Sequence, residues 1–174
     1  MFSMSIFNKF DKKNYLSLVQ KNNLILYLLI FLTFIFDRIS KIKIIDSISD
    51  NNRVYINDFI NFDLVWNTGI GFGFLSSDSN LVYNSITAII GTVIAYIIYL
   101  AIKSKIIEKI SFSLIIGGAL GNFYDRLHYF AVPDFIDVHY LNFHWFTFNL
   151  ADIFISLGII ILISKELFTS NENN

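Results

Sequence analysis

The chain has 174 residues, 55% hydrophobic and 17% aromatic, with 16% charged and a mean hydropathy of +0.57. Soluble domains carry nearer a quarter charged residues, so the composition favours a membrane protein, and a net charge of −1 argues against a nucleic-acid surface. The absence of cysteine excludes disulfides, thiolate metal sites and cysteine nucleophiles.

One proline and eight glycines leave no low-complexity linker, so residues 1–174 read as a single unit. Residues 1–21 form a mixed, lysine-bearing lead-in. No small-x-small cleavage site follows the first apolar run, LILYLLIFLTFIF (Leu24 to Phe36), which therefore reads as a retained membrane span. It reaches the roughly 20 residues that a bilayer requires only by drawing in Asp37, Arg38 and Lys41. Asp37 and Lys41 are four residues apart, on one helical face. Spacing alone leaves them open between a polar stop and a pair turned into the protein.

Residues 42–80 form the main extramembrane segment, in which Val54 and Ile56 pair as a small sheet with the alternating Phe62, Leu64 and Trp66. It ends in NTGIGFGFL, whose glycines permit a tight turn or close backbone approach. Leu81 to Ile102 is a second span and Ile110 to Phe123 a third, short unless Tyr124, Asp125 and Arg126 join it. The fourth runs from about Phe148 to Ser164, followed by a polar tail over 165–174. The N-terminal segment, the Lys103 to Lys109 loop and Lys165 hold eight Lys or Arg, against five in the opposite loops. The positive-inside rule then puts both termini in the cytoplasm and Asp37, Asn67, Asp125, Asp134 and Asp152 at the outer face. The fold class is a mainly α membrane protein, four transmembrane helices with a small extracytoplasmic β-rich cradle.

The chemistry lies between Gly117 and Asp152, where acids sit at the ends of apolar spans. Two carboxylates held close share a proton, and such a pair can activate water against an amide and protonate the leaving amine. No serine lies in a nucleophile-elbow or Ser-x-x-Lys pattern. His139 and His144 lack the helical spacing of a zinc pair and read as packing or hydrogen-bonding residues, so no metal or cofactor is expected. Asp152 projects from a membrane helix and needs a partner. Asp134 follows Pro133, where a rigid turn delivers its carboxylate. Asp125 reads as a helix cap or a partner of Arg126, and Asp137 as a solvent-exposed loop residue. Residue physics alone leaves Asp134 and Asp125 both open as the partner of Asp152.

Five motifs in this order resemble the lipoprotein signal peptidases (signal peptidase II) across nearly the whole chain. They are Asp-x-x-x-Lys (Asp37 to Lys41), Asn-x-Gly-x-x-Phe-Gly (Asn67 to Gly73), Gly-Gly-x-x-Gly-Asn-x-x-Asp-Arg (Gly117 to Arg126), Val-x-Asp-Phe (Val132 to Phe135) and Phe-Asn-x-Ala-Asp (Phe148 to Asp152). The resemblance implies a bacterial inner-membrane aspartyl peptidase that cuts diacylglyceryl prolipoproteins before the lipidated cysteine. It implies Asp134 and Asp152 as the catalytic dyad, with Asn67, Gly69, Asn122, Arg126 and Asn149 binding substrate or orienting the dyad. Asp37, Lys41 and Asp125 become polar scaffold. Its implied partners are the prolipoprotein substrate and membrane lipids, acting on a monomer. Three positions depart from the family pattern: Arg38 replaces a commoner glutamine, Gly71 a small alanine, and Pro133 fills the variable slot before Asp134. The rival reading is a small transporter whose acids relay protons or cations, although these acids cluster at one face and no internal repeat is present.

Overall fold

The structure, a computed structural model, describes residues 21–48, 53–69 and 80–171. Four helices carry most of it: α1 (Lys21–Ser47), α2 (Asn80–Lys103), α3 (Ile106–His128) and α4 (Leu150–Asn171). Strands β1 (Val54–Asn57) and β2 (Ile60–Asn67) lie between α1 and α2, and β3 (Val132–Tyr140) and β4 (Phe143–Phe148) between α3 and α4. The helices have 22 to 27 residues, or roughly 33–40 Å at 1.5 Å per residue. By length and apolarity together, two described stretches are able to cross a membrane, Leu81–Lys103 and Ile106–His128.

Polarity is inverted relative to a water-soluble bundle. Asp37, Arg38, Lys41, Ser111, Ser113, Asp125 and Asn149 are buried, whereas Leu28, Phe31, Phe36, Ile89, Ile160 and Ile163 face outward. Exposed apolar surface on this scale marks contact with something other than water. The apolar core is small: Leu26, Ala101 and Ile116, flanked by Ile30, Ile97, Ile98, Ile102, Phe112 and Leu120.

The central helix is α3, which packs against α1, α2 and α4. Glycine makes those approaches possible. A Cβ on Gly117 would lie 2.6 Å from Thr33 Cβ of α1, and one on Gly118 would lie 2.6 Å from the Ala151 carbonyl oxygen of α4. From the other side, a Cβ on Gly158 would meet the Ser111 carbonyl oxygen at 2.6 Å. Small residues of this kind let helix backbones close on one another where no hydrophobic effect drives them together.

The four strands form one antiparallel sheet in the order β1-β2-β3-β4. The α2–α3 hairpin returns the chain so that β2 pairs with β3, with Val65 opposite Asp134 and Asn67 opposite Val132. The sequence reading anticipated only β1 and β2. Both faces of β3 are largely buried, which erases the alternation by which a half-exposed strand is recognised. Asp134 is therefore delivered by a strand and not by a proline turn. Pro133 pairs with Trp66, and the β4 ladder begins only at Ile136, so its missing N–H interrupts no bond to β4.

Asp137 is also in β3 and buried, contrary to the exposed-loop reading. The helix ends differ as well. Helix α1 continues to Ser47 and α4 to Asn171, because IKIID and SKELF contain no glycine or proline to stop them. Helix α1 thus runs into the start of the expected extramembrane segment, and the polar tail is helical as far as Asn171. Helix α3 includes Tyr124, Asp125 and Arg126, as a full span requires. The lead-in over 1–20, Gly71 and Gly73 lie outside the described residues.

Gly118→Ala forces a Cβ against backbone, whereas Gly91→Ala meets only the Phe123 ring at 3.1 Å. Thermal unfolding in detergent is expected to show Gly118→Ala destabilised by about 1–3 kcal/mol and Gly91→Ala nearly unchanged. Equal effects would contradict the close α3–α4 contact.

Candidate active site

The first fixed point of the site is an ammonium group. Lys41 Nζ donates to Asp37 Oδ2 at 2.9 Å, Asn122 Oδ1 at 2.7 Å and Asp125 Oδ2 at 2.7 Å, which uses all three of its hydrogens. Lys41, Asp37 and Asp125 are fully buried. The i,i+4 pair on α1 is therefore turned inward. Asp37 Oδ1 accepts the Ala151 N–H at 3.1 Å, a bond that ties α1 to the first turn of α4. Gly121 leaves room for this carboxylate, since a Cβ there would lie 2.2 Å from Asp37 Oδ2. Asp125 does not pair with Arg126. Its other oxygen accepts from Arg38 Nη1.

Asp152 lies in the first turn of α4, where NLAD forms a reciprocal capping box. Asn149 N–H donates to Asp152 Oδ2 at 3.1 Å and Asp152 N–H donates to Asn149 Oδ1 at 3.2 Å. The carboxylate thereby caps the positive end of the α4 dipole. The second Asp152 oxygen accepts from Asn122 Nδ2 at 2.9 Å. Asp134 receives Asn67 Nδ2 on Oδ2 at 2.9 Å and Asn149 Nδ2 on Oδ1 at 2.6 Å. Asn67 reaches it diagonally across the β2–β3 ladder, from the position two along from Val65.

Each asparagine has its amide direction set by a second contact. The carbonyl oxygen of Asn122 is held by Lys41, that of Asn149 by the Asp152 N–H and that of Asn67 by the Gly69 N–H at 2.8 Å. All three amides are thereby obliged to present N–H groups to the carboxylates. Burial pushes the Asp134 carboxyl up to about 6; the Asn67 amide opposes this, the nearby Asp152 charge adds to it, and Asn149 and Lys41 oppose it. Arg126 completes the frame, with Nη2 on the Gly69 carbonyl at 2.8 Å and Nη1 on the Asn122 carbonyl at 3.1 Å.

All ten residues singled out in the sequence thus converge here. Gly69 takes part through its backbone alone. The capping box was overlooked, although Asn-x-x-Asp ahead of an apolar run is its sequence signature. Away from the site, His139 and His144 are cross-strand partners, and His144 Nδ1 lies 2.8 Å from Asp137 Oδ2. Among the described residues, no three His, Asp or Glu side chains converge as a metal site. An apolar groove of about 330 Å³ adjoins Asp152, lined by Phe146 and Phe148 of β4 and Ile153, Ser156 and Leu157 of α4. The arrangement offers two interacting carboxylates, of which Asp134 lies in a setting that favours protonation.

The profile of a family described as signal peptidase (SPase) II matches residues 29–168. The lipoprotein signal peptidase of Pelagibacter ubique (strain HTCC1062) is 48% identical over 168 residues, spanning 95% of this chain and 96% of its own length. That of Francisella tularensis subsp. novicida (strain U112) is 45% identical over 127 residues, spanning 69% of this chain and 77% of its own. A solved bacterial membrane enzyme, determined by the in meso method at 2.3 Å resolution, superposes with a TM-score of 0.73 at 28% identity, covering 86% of this chain and 91% of that one.

Replacing Lys41 by methionine leaves two buried carboxylates without their shared cation. A loss of about 3–5 kcal/mol is expected. Lys165→Met breaks a partly exposed pair with Glu108 at the far end of the bundle and is expected to cost no more than about 1 kcal/mol. Thermal unfolding of the two variants side by side checks this, and equal losses would contradict the keystone role of Lys41.

Proposed function

The chain belongs to the signal peptidase II family and removes signal peptides from prolipoproteins, and we propose that it does so as an aspartyl endopeptidase whose dyad is Asp134 and Asp152. The observation that carries this reading is the convergence of three directed asparagine amides on two electrostatically coupled carboxylates. The family match leaves the proton-relay rival without support.

In this reading residues 1–174 are one integral membrane domain of the bacterial inner membrane. All four helices cross the bilayer, both termini are cytoplasmic, and the sheet end with the dyad is periplasmic. Helix length, the outward apolar surface and the lysine distribution support that topology. The chain acts as a monomer on prolipoproteins carrying diacylglycerol and cuts before the lipidated cysteine. The groove beside Asp152 offers an apolar bed for the part of the substrate next to the scissile bond.

Chemistry follows from the asymmetry of the pair. Asp134, buried and pushed up to about 6, carries the dyad proton. Asp152, at the N-terminus of α4, is the carboxylate that takes a proton from water as the water oxygen bonds to the amide carbon. Asp134 passes its proton to the carbonyl oxygen. The tetrahedral intermediate then collapses: the C–N bond breaks, the leaving nitrogen takes the proton from Asp152, and the hydroxyl proton returns to Asp134. The new carboxyl group stays on the signal peptide, and the enzyme's protonation state is restored. Arg126 and the asparagines hold the carboxylates in place throughout.

Asp134→Asn and Asp152→Asn are each expected to lower cleavage of a diacylglyceryl prolipoprotein by at least about 10²–10⁴-fold while the protein still purifies folded. The check is a gel-shift assay on purified protein with lipidated and unlipidated substrate. Full activity in either variant would contradict the dyad.

A further inference from the structure

On the side of α3 that meets α1, an apolar groove of about 520 Å³ is lined by Tyr27, Ile30, Phe31 and Phe34 of α1 and by Leu120, Phe123, Tyr124 and Leu127 of α3. It is separate from the groove beside Asp152, with which it shares no residue. Near its sheet end stands Arg38, one turn beyond Phe34 on the same helical face. The Arg38 guanidinium carbon lies 4.9 Å from the centroid of the Tyr124 ring, and Tyr124 meets Phe34 edge to face at 6.2 Å between centroids.

Arg38 is chemically incomplete. Its side chain is 9% exposed, Nη1 donates to Asp125, and Nε and Nη2 are buried with no hydrogen-bond partner. Buried donors without partners cost about 1–3 kcal/mol each and call for a ligand or water. The unused edge, Nε with Nη2, is the one that binds a phosphate in two parallel bonds. An apolar groove separated from such an edge only by the Tyr124 ring matches an acyl chain joined to a phosphate headgroup.

We propose that this groove binds one glycerophospholipid of the leaflet nearest the sheet, an acyl chain along α1 and α3 and its phosphate on Arg38. The site rests on the reading that α1 and α3 cross the bilayer. Tyr124 turns about its side-chain bonds to admit the phosphate and then covers the chain. The bound lipid satisfies the last donors of the ion network that also holds Lys41, so it couples the surrounding membrane to the rigidity of the dyad frame.

Native mass spectrometry of the purified full chain, titrated with phosphatidylglycerol or with diacylglycerol of the same acyl chains, tests the site. The expected result is retention of one phosphatidylglycerol, with diacylglycerol held at least tenfold more weakly and inorganic phosphate unable to displace the lipid. Arg38→Gln and the surface variant Leu127→Trp, which fills the groove without touching Arg38, are each expected to weaken retention about tenfold. Equal retention of the two lipids, displacement by phosphate alone, unchanged retention in both variants, or a protein dimer occupying the groove would overturn the proposal. Cleavage of lipidated prolipoprotein by the same wild-type sample is read in parallel. Cleavage without selective retention defeats the lipid site alone, and retention without cleavage defeats the peptidase reading alone.

Discussion

The buried ammonium of Lys41 is the interaction on which the rest depends. Asp37, Arg38, Lys41 and Asp125 are ionisable groups within the helices, and four isolated charges would cost roughly 10 kcal/mol on insertion scales. That sum is comparable to the whole stability of a typical domain. Gathered into one network of two cations and two anions, they compensate one another. Because Lys41 also binds Asn122, and Asp37 also binds the backbone of Ala151, the same network locates one asparagine and one helix start that face Asp152.

From there the structure works by using single groups twice. Asn149 caps α4 through its oxygen and holds Asp134 through its nitrogen. Asn67 closes a turn onto Gly69 and reaches Asp134 in the same way. Aspartate at position 67, 122 or 149 would offer only acceptors when ionised, and serine would be too short to span both partners. The glycines of α3 serve the same end by a different route, since they bring α1 and α4 close enough for side chains on both to meet.

Much of this was legible in the chain. Four long apolar helices and the shared helical face of Asp37 and Lys41 follow from period and composition, whereas the inward turn of that pair, which spacing left open, is settled only by Asn122 and Asp125 of α3. The choice of Asp134 over Asp125 did not follow either, because Asp125 sits in a helix beside Arg126 and its true partners, Arg38 and Lys41, lie more than eighty residues away. The strand bearing Asp134 was equally hidden, since burial of both faces removes the alternating pattern. Asp137 was misread for the same reason: a carboxylate among aromatics looks exposed until His144 is brought across the hairpin to meet it. Pairings between distant segments carry no local signal, and the site is built from them.

The most direct test of the central claim is an infrared titration of the purified enzyme in detergent, following the carbonyl stretch of protonated carboxyl groups. A dyad of coupled carboxylates predicts a protonated carboxyl that persists well above the usual aspartate range and loses its proton as pH rises through about 6, in keeping with Asp134. That signal should vanish in Asp134→Asn and shift to lower pH in Asp152→Asn, where the neighbouring negative charge is gone. A wild-type enzyme with every aspartate ionised by pH 5, or a signal untouched by either substitution, would contradict it.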